Sequence, residues 1–237
     1  MATVILFVFG VIVGSFLNVL GLRWNSGLSL GGRSFCPVCG KKLCWHELIP
    51  VLSFVFLHGR CLQCKARISY QYPMVEILTG LIFATVPYIF IPVFCIYIVI
   101  GIYDIRHKII PNSLVYASIA LSLIVPLFIV HYSFLDWLAG PILFSFFALV
   151  WLISRGKAMG FGDAKLGLSV GLLLGAALGF SAVVLAFWVG AAIGITYMIF
   201  SPKKITIKSE MPFAPFIIFG SWLALILNLD LLHVSFF

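Results

Sequence analysis

Apolar runs long enough to cross a bilayer fill this chain and leave little choice of architecture. A helix needs about 20 apolar residues to traverse the hydrocarbon. We read eight such runs, at about residues 2–22, 73–90, 92–110, 112–130, 134–153, 164–180, 182–200 and 213–232. They are continuous rather than alternating, which argues against a membrane β-barrel. With 63% hydrophobic and 9% charged residues, a water-soluble globule would lack polar surface to cover itself, and a disordered chain is excluded by the apolar and aromatic content. The sequence predicts an all-α polytopic membrane protein with about eight transmembrane helices. No basic residue precedes the first run and no small-residue cleavage site follows it, so it is expected to stay as helix one.

The basic residues set the expected orientation. The 15 Lys and Arg fall in four places. Arg23, Arg33, Lys41, Lys42, Arg60, Lys65 and Arg67 lie between helices one and two. Arg106 and Lys108 lie near the end of helix three. Arg155, Lys157 and Lys165 lie between helices five and six, and Lys203, Lys204 and Lys208 between helices seven and eight. Eight spans put all four places on one side. The opposite loops, near Tyr88–Pro92, His131–Phe134 and Phe180–Ser181, have none. The positive-inside rule then places both termini outside and the basic loops in the cytosol. The net charge of +8 is explained by this topology. No nucleic-acid partner is expected, because no aromatic and basic reading surface accompanies it. Three parts result: helix one at 1–22, a cytosolic loop domain at 23–72, and a seven-helix core at 73–237.

Five of the six cysteines lie in the loop domain. Cys36-Pro37-Val38-Cys39 and Cys61-Leu62-Gln63-Cys64 form two C-x2-C pairs, with a spacer just beyond the usual zinc spacing. Gly40 suits the left-handed turn that aims backbone amides at the sulfurs. Four thiolates complete a tetrahedral Zn²⁺, which makes a closed, structural site. Disulfides are the rival reading, disfavoured in a reducing cytosol. Cys44, His46 and His58 are spare ligands, and Cys95 is read as an inert core residue. So small a loop has little core of its own, and bound metal is expected to supply much of its folding energy.

Only seven carboxylates occur, and two are informative. Asp104 follows the apolar run 92–103. A helix continuing to Ile110 and stopping at Pro111 would hold it just inside the boundary, with Arg106 and Lys108 reaching outward. An ionisable residue at that depth is a functional hypothesis. Asp163 closes Gly160-Phe161-Gly162-Asp163 at the start of helix six, where a helix cap is the simpler role. Asp163, Gly167, Gly171, Gly175 and Gly179 recur every four residues, a small-residue packing face that turns Asp163 toward protein. Two carboxylates meeting at the boundary cannot both ionise cheaply, and a pair sharing one proton can run acid–base chemistry. Periodicity does not bring helices three and six together. The residues alone leave proteolysis and ion- or proton-coupled transport open.

At these residues the sequence resembles the bacterial type IV prepilin peptidases, membrane aspartyl proteases of the GxGD kind. Gly14-Ser15-Phe16-Leu17-Asn18-Val19 with Arg23 is similar to the family's first-helix motif. The cysteine pairs follow, and then Ile68–Glu76, Asp104 with Ile110-Pro111-Asn112, and Gly160–Leu166. The resemblance implies an enzyme of the bacterial cytoplasmic membrane with its active site facing the cytosol. It would cut the basic leader from prepilins or pseudopilins and methylate the new N-terminus with S-adenosylmethionine. It implies Asp104 and Asp163 as the catalytic pair and Cys36, Cys39, Cys61 and Cys64 as zinc ligands. It marks no methyl-donor contacts. Lys165 is expected to bind substrate or simply to reach the interface. Glu76 is expected to support the site or to favour the first turn of its helix.

Overall fold

A computed structural model describes residues 1–27, 29, 31–128, 132–200 and 212–231. Lys203, Lys204, Lys208 and His131 lie outside the described residues. The regular elements are α1 (Ala2–Arg23), α2 (Leu52–Phe56), α3 (Gln71–Thr85), α4 (Ile91–His107), α5 (Asn112–Ile124), α6 (Phe134–Ser154), α7 (Phe161–Phe200) and α8 (Ala214–Leu227). Among the described residues there is no strand, only the bridges Phe35–Lys42 and Arg60–Arg67. Among the described residues, four helical stretches are long and apolar enough to cross a membrane: Ala2–Arg23, Tyr88–His107, Phe134–Ser154 and Phe161–Phe200. Asn112–Phe128 and Ala214–Leu227 are apolar but shorter. The chain is an all-α membrane protein, as its composition requires.

It forms two compact units, Met1–Pro87 and Tyr88–Phe237. In the first, α1 and α3 pack antiparallel with the cysteine loop joining them. A Cβ on Gly14 would meet Thr79 and the Glu76 backbone at 2.8–2.9 Å. In the second, α7 is the hub, packing on α5, α6 and α8, while α4 packs on α5 and α8. Val93, Phe94, Tyr97 and Ile100 are fully buried, and a helix apolar on all sides belongs in the interior. One polar knot crosses this core. The Tyr97 and Ser169 hydroxyls lie 2.9 Å apart, as do those of Ser122 and Ser169, so α4, α5 and α7 are joined where unpaired hydroxyls would be costly.

α4 ends at His107, before the Ile110 expected from the sequence. Lys108 takes φ +53 and its N–H closes on the Asp104 carbonyl at 2.7 Å, a left-handed helix stop. α7 departs further from expectation. It is two helices meeting at Gly175, where φ is +73 and ψ −171. Gly179 then packs back against Gly171, so the chain turns sharply. The expected break near Phe180–Ser181 thus falls at Gly175, and the four-residue glycine spacing is not one continuous face. Asp136 fixes the turn: its Oδ1 accepts the Ala176 N–H at 2.9 Å. The stripe's partner is α6, because a Cβ on Gly167 would strike Phe147 and one on Gly171 would strike the backbone at Ala139 and Gly140.

A Cβ at Gly175 would lie 2.5 Å from Asp136 Oδ1, so strain and collision add there. Gly27 has φ +75 with nothing within 4 Å of an added Cβ. Gly27→Ala should cost about 1 kcal/mol from backbone strain alone. Gly175→Ala should cost clearly more, read as a larger drop in thermal midpoint in detergent. Equal drops would contradict the Asp136-capped turn.

Candidate functional site

The two cysteine pairs fold as copies of one knuckle. In the first, Cys36 N–H donates to Lys41 O and Gly40 N–H to Cys36 O, both at 2.9 Å. In the second, Cys61 N–H donates to Ala66 O at 2.9 Å and Lys65 N–H to Cys61 O at 3.0 Å. The left-handed fifth position is Gly40 (φ +70) in one and Lys65 (φ +58) in the other. The knuckles face each other with Cys36 and Cys64 sulfurs 3.8 Å apart, and all four sulfurs lie within 4.8 Å of one another. A tetrahedral zinc with bonds of about 2.3 Å has sulfurs about 3.8 Å apart, so the donor set fits. Backbone N–H groups of Cys39 and Val38 lower the Cys36 thiol to about 6. Those of Cys64 and Gln63 lower Cys61. The Ala66 N–H pulls Cys64 down, but burial and the neighbouring thiols outweigh it and push Cys64 up to about 11. These cysteines could hold a metal such as zinc. Cys44, His46 and Glu47 also cluster, but both Glu47 oxygens are engaged, by Lys41 Nζ at 3.0 Å and the Cys44 N–H at 2.8 Å.

In the second unit, Asp104 and Asp163 are both buried, at 4% and 7% exposure. Asp104 Oδ2 accepts the Ala214 N–H at 3.2 Å, the first main-chain donor of α8. Asp163 Oδ2 reaches back to the Gly160 N–H at 3.2 Å while the Asp163 N–H bonds the Gly160 carbonyl. It thus sits inside the first turn and closes the turn from there, rather than as the residue preceding the helix. The two carboxylates are near enough for the charge on one to act on the other. Chain packing explains that proximity. A Cβ on Gly162 would lie 2.8 Å from Ile110 Cβ, so the glycine turn seats on the loop that leaves α4. Two residues past Asp163, Lys165 Nζ donates to Asn112 Oδ1 at 2.7 Å and to the Tyr116 hydroxyl at 3.3 Å, over the Tyr116 and Phe161 rings. Lys165 thus ties the start of α7 to α5, the helix that follows the loop leaving α4.

The remaining motif residues serve the first unit. The Asn18 amide donates to the Tyr72 carbonyl at 3.2 Å, and Glu76 Oε2 accepts the Val51 N–H at 2.7 Å. They join α1, α3 and the cysteine loop.

Comparison with known proteins accords with these two units. Residues 8–90 match the family model described as Bacterial Peptidase A24 N-terminal domain, and residues 89–195 match the Type IV leader peptidase family. A Bacillus subtilis (strain 168) protein named prepilin leader peptidase/N-methyltransferase is 34% identical, over 93% of this chain and 92% of its own length. The chain belongs to the type IV leader peptidase family. A Stutzerimonas stutzeri protein of the same name is 30% identical over 92% of this chain and 88% of its own. One from Myxococcus xanthus (strain DK1622) is 33% identical over 83% and 63%. No solved structure matches the chain significantly.

In this leader peptidase family member, the sequence motifs point to Asp104, Asp163 and the cysteines, but not to two other residues. Asp136 builds the Gly175 turn across 40 residues of sequence, and only its place three residues after Ser133, a capping spacing, hinted at a structural role. Tyr116 receives Lys165, and no local signal marks it. If the four cysteines hold a metal, elemental analysis should find it in the purified chain and find it lost from Cys36→Ser/Cys39→Ser. Retention of one metal per chain would remove these residues as ligands.

Proposed function

We propose that the chain is a membrane aspartyl endopeptidase. It removes the basic leader from type IV prepilins or pseudopilins at the cytosolic face of the bacterial cytoplasmic membrane, and methylates the new N-terminus with S-adenosylmethionine. The observation that carries the reading is the burial of Asp104 and Asp163 within electrostatic range of each other, in a chain of the leader peptidase family. A prepilin has its leader in the cytosol and its apolar helix in the bilayer, so its scissile bond lies at the boundary where these residues are expected.

In this reading one carboxylate is ionised and takes a proton from the attacking water. The other keeps its proton and donates a hydrogen bond to the scissile carbonyl. The main-chain donors at Ala214 and Gly160 hold the two side chains in place. Cys36, Cys39, Cys61 and Cys64 hold zinc as a closed structural site. S-adenosylmethionine is a co-substrate of the second step, and no contacts are assigned to it. Ion or proton transport by the same two aspartates draws no support from the relatives, which carry peptidase names.

The reading is tested by cleavage of a prepilin by the purified chain. Asp104→Asn and Asp163→Asn, made separately, should each lower cleavage by at least about a hundredfold, the scale of a lost acid–base group, with helical content unchanged. Near wild-type cleavage by either variant would contradict the pair. Mass measurement of the mature N-terminus should show one added methyl group when S-adenosylmethionine is supplied. An unmodified terminus would leave a peptidase alone.

A further inference from the structure

The stretch between the two cysteine pairs carries an apolar surface that a cytosolic loop does not need. No Lys or Arg stands between Lys42 and Arg60. Within it, Trp45, Leu48, Ile49, Leu52, Val55 and Phe56 are exposed, Trp45 to 77% and Phe56 to 76%. A patch of this kind on a small domain marks something that covers it.

The packing of the first unit gives the depth of that surface. α1 is long and apolar enough to cross the membrane and ends at Arg23, a residue suited to the interface. A Cβ on Gly14 would sit 2.9 Å from the Cα of Glu76, so the two are level. Gly14 precedes Arg23 by nine residues, about 13 Å along the helix axis. Glu76 therefore lies about 13 Å inside that end, within the roughly 15 Å half-thickness of the hydrocarbon. Its carboxylate bonds the Val51 N–H at 2.7 Å. A glutamate side chain reaches about 5 Å and the hydrogen bond about 3 Å, so even upright it leaves Val51 about 5 Å below Arg23. The start of α2 is held at bilayer depth.

The local backbone is built for that position. Val51 has φ +60 and ψ −52, rare for a β-branched residue. The Pro50 carbonyl accepts the Leu52 N–H at 2.6 Å across it, a γ-turn that reverses the chain. Ser53 N–H bonds Ile49 O, Val55 N–H bonds Val51 O and Leu57 N–H bonds Ser53 O. Main-chain donors satisfied within the segment, or by a buried carboxylate, are the condition for backbone to enter hydrocarbon. A cavity bordered by Phe56, Arg60 and Lys65 continues from this surface, and its two cations suit lipid phosphates.

We propose that Ile49–Phe56 is a re-entrant segment. It dips into the leaflet at the Arg23 end of α1, where lipid acyl chains cover Leu52, Val55 and Phe56, and Glu76 pins its turn. The metal-binding knuckles are thereby anchored to the membrane surface with Lys41, Lys42 and Arg60 at the headgroups. This rests on α1 as a span and not on the peptidase reading.

The test uses the full chain in phospholipid nanodiscs without substrate. A fluorescent amino acid replaces Phe56, Leu52 or, as reference, Val38, which is 71% exposed beside the metal ligands. Acyl-brominated phospholipids should quench the probe at positions 56 and 52, and aqueous iodide should quench it there several-fold less than at 38. The proposal stands only if both positions are protected. Iodide quenching at either position as strong as at 38 would overturn it and leave the surface for a protein partner.

Discussion

A carboxylate inside a bilayer must find donors, and in this protein it finds them at the starts of helices. Of seven carboxylates in the chain, four in the helical parts accept a main-chain N–H at or beside such a start. Glu76 takes Val51, Asp104 takes Ala214, Asp136 takes Ser133 and Ala176, and Asp163 takes Gly160. The first N–H groups of a helix have no partner within it, and their dipole favours negative charge. Each acid thus meets two needs of a low-dielectric interior: its own desolvation and the open end of a backbone. Three of these bonds join distant parts of the chain, so they also decide which segments meet.

That rule explains why the proposed catalytic pair is held by backbone and not by a basic side chain. A lysine or arginine beside either aspartate would favour the ionised form of both, and a dyad needs one proton kept. Lys165 is close in sequence to Asp163, yet its ammonium is directed at Asn112, Tyr116 and two aromatic faces. It secures the first turns of α5 against the start of α7 without entering an ion pair with the acids. Gly162 works toward the same end by letting Ile110 approach.

Much of this was legible in the sequence because the signals are local. Apolar length gave the membrane class, C-x2-C spacing gave the metal-capable cluster, and Gly160–Asp163 marked a helix start. Gly175 was misread for a physical reason: glycines spaced by four describe a packing face and a chain reversal equally well. What separates them is Asp136, whose contact lies about 40 residues away and has no periodicity. The early end of α4 rests on Lys108 adopting a left-handed conformation, which its side chain does not advertise. Glu76 was read as a support of the site or a first-turn acid; it lies in the second turn of α3, and its partner, the Val51 N–H, is a backbone group that any residue but proline would offer.

The proposed chemistry requires the carboxyls of α4 and α7 to meet in one site. Solid-state NMR on the bilayer-embedded chain, with ¹³C at the aspartate carboxyl carbons, tests this directly. A through-space carbon–carbon coupling between Asp104 and Asp163 is expected, and it should vanish when either is replaced by asparagine without label. Fully resolved signals with no such coupling would mean that the two acids do not share a site.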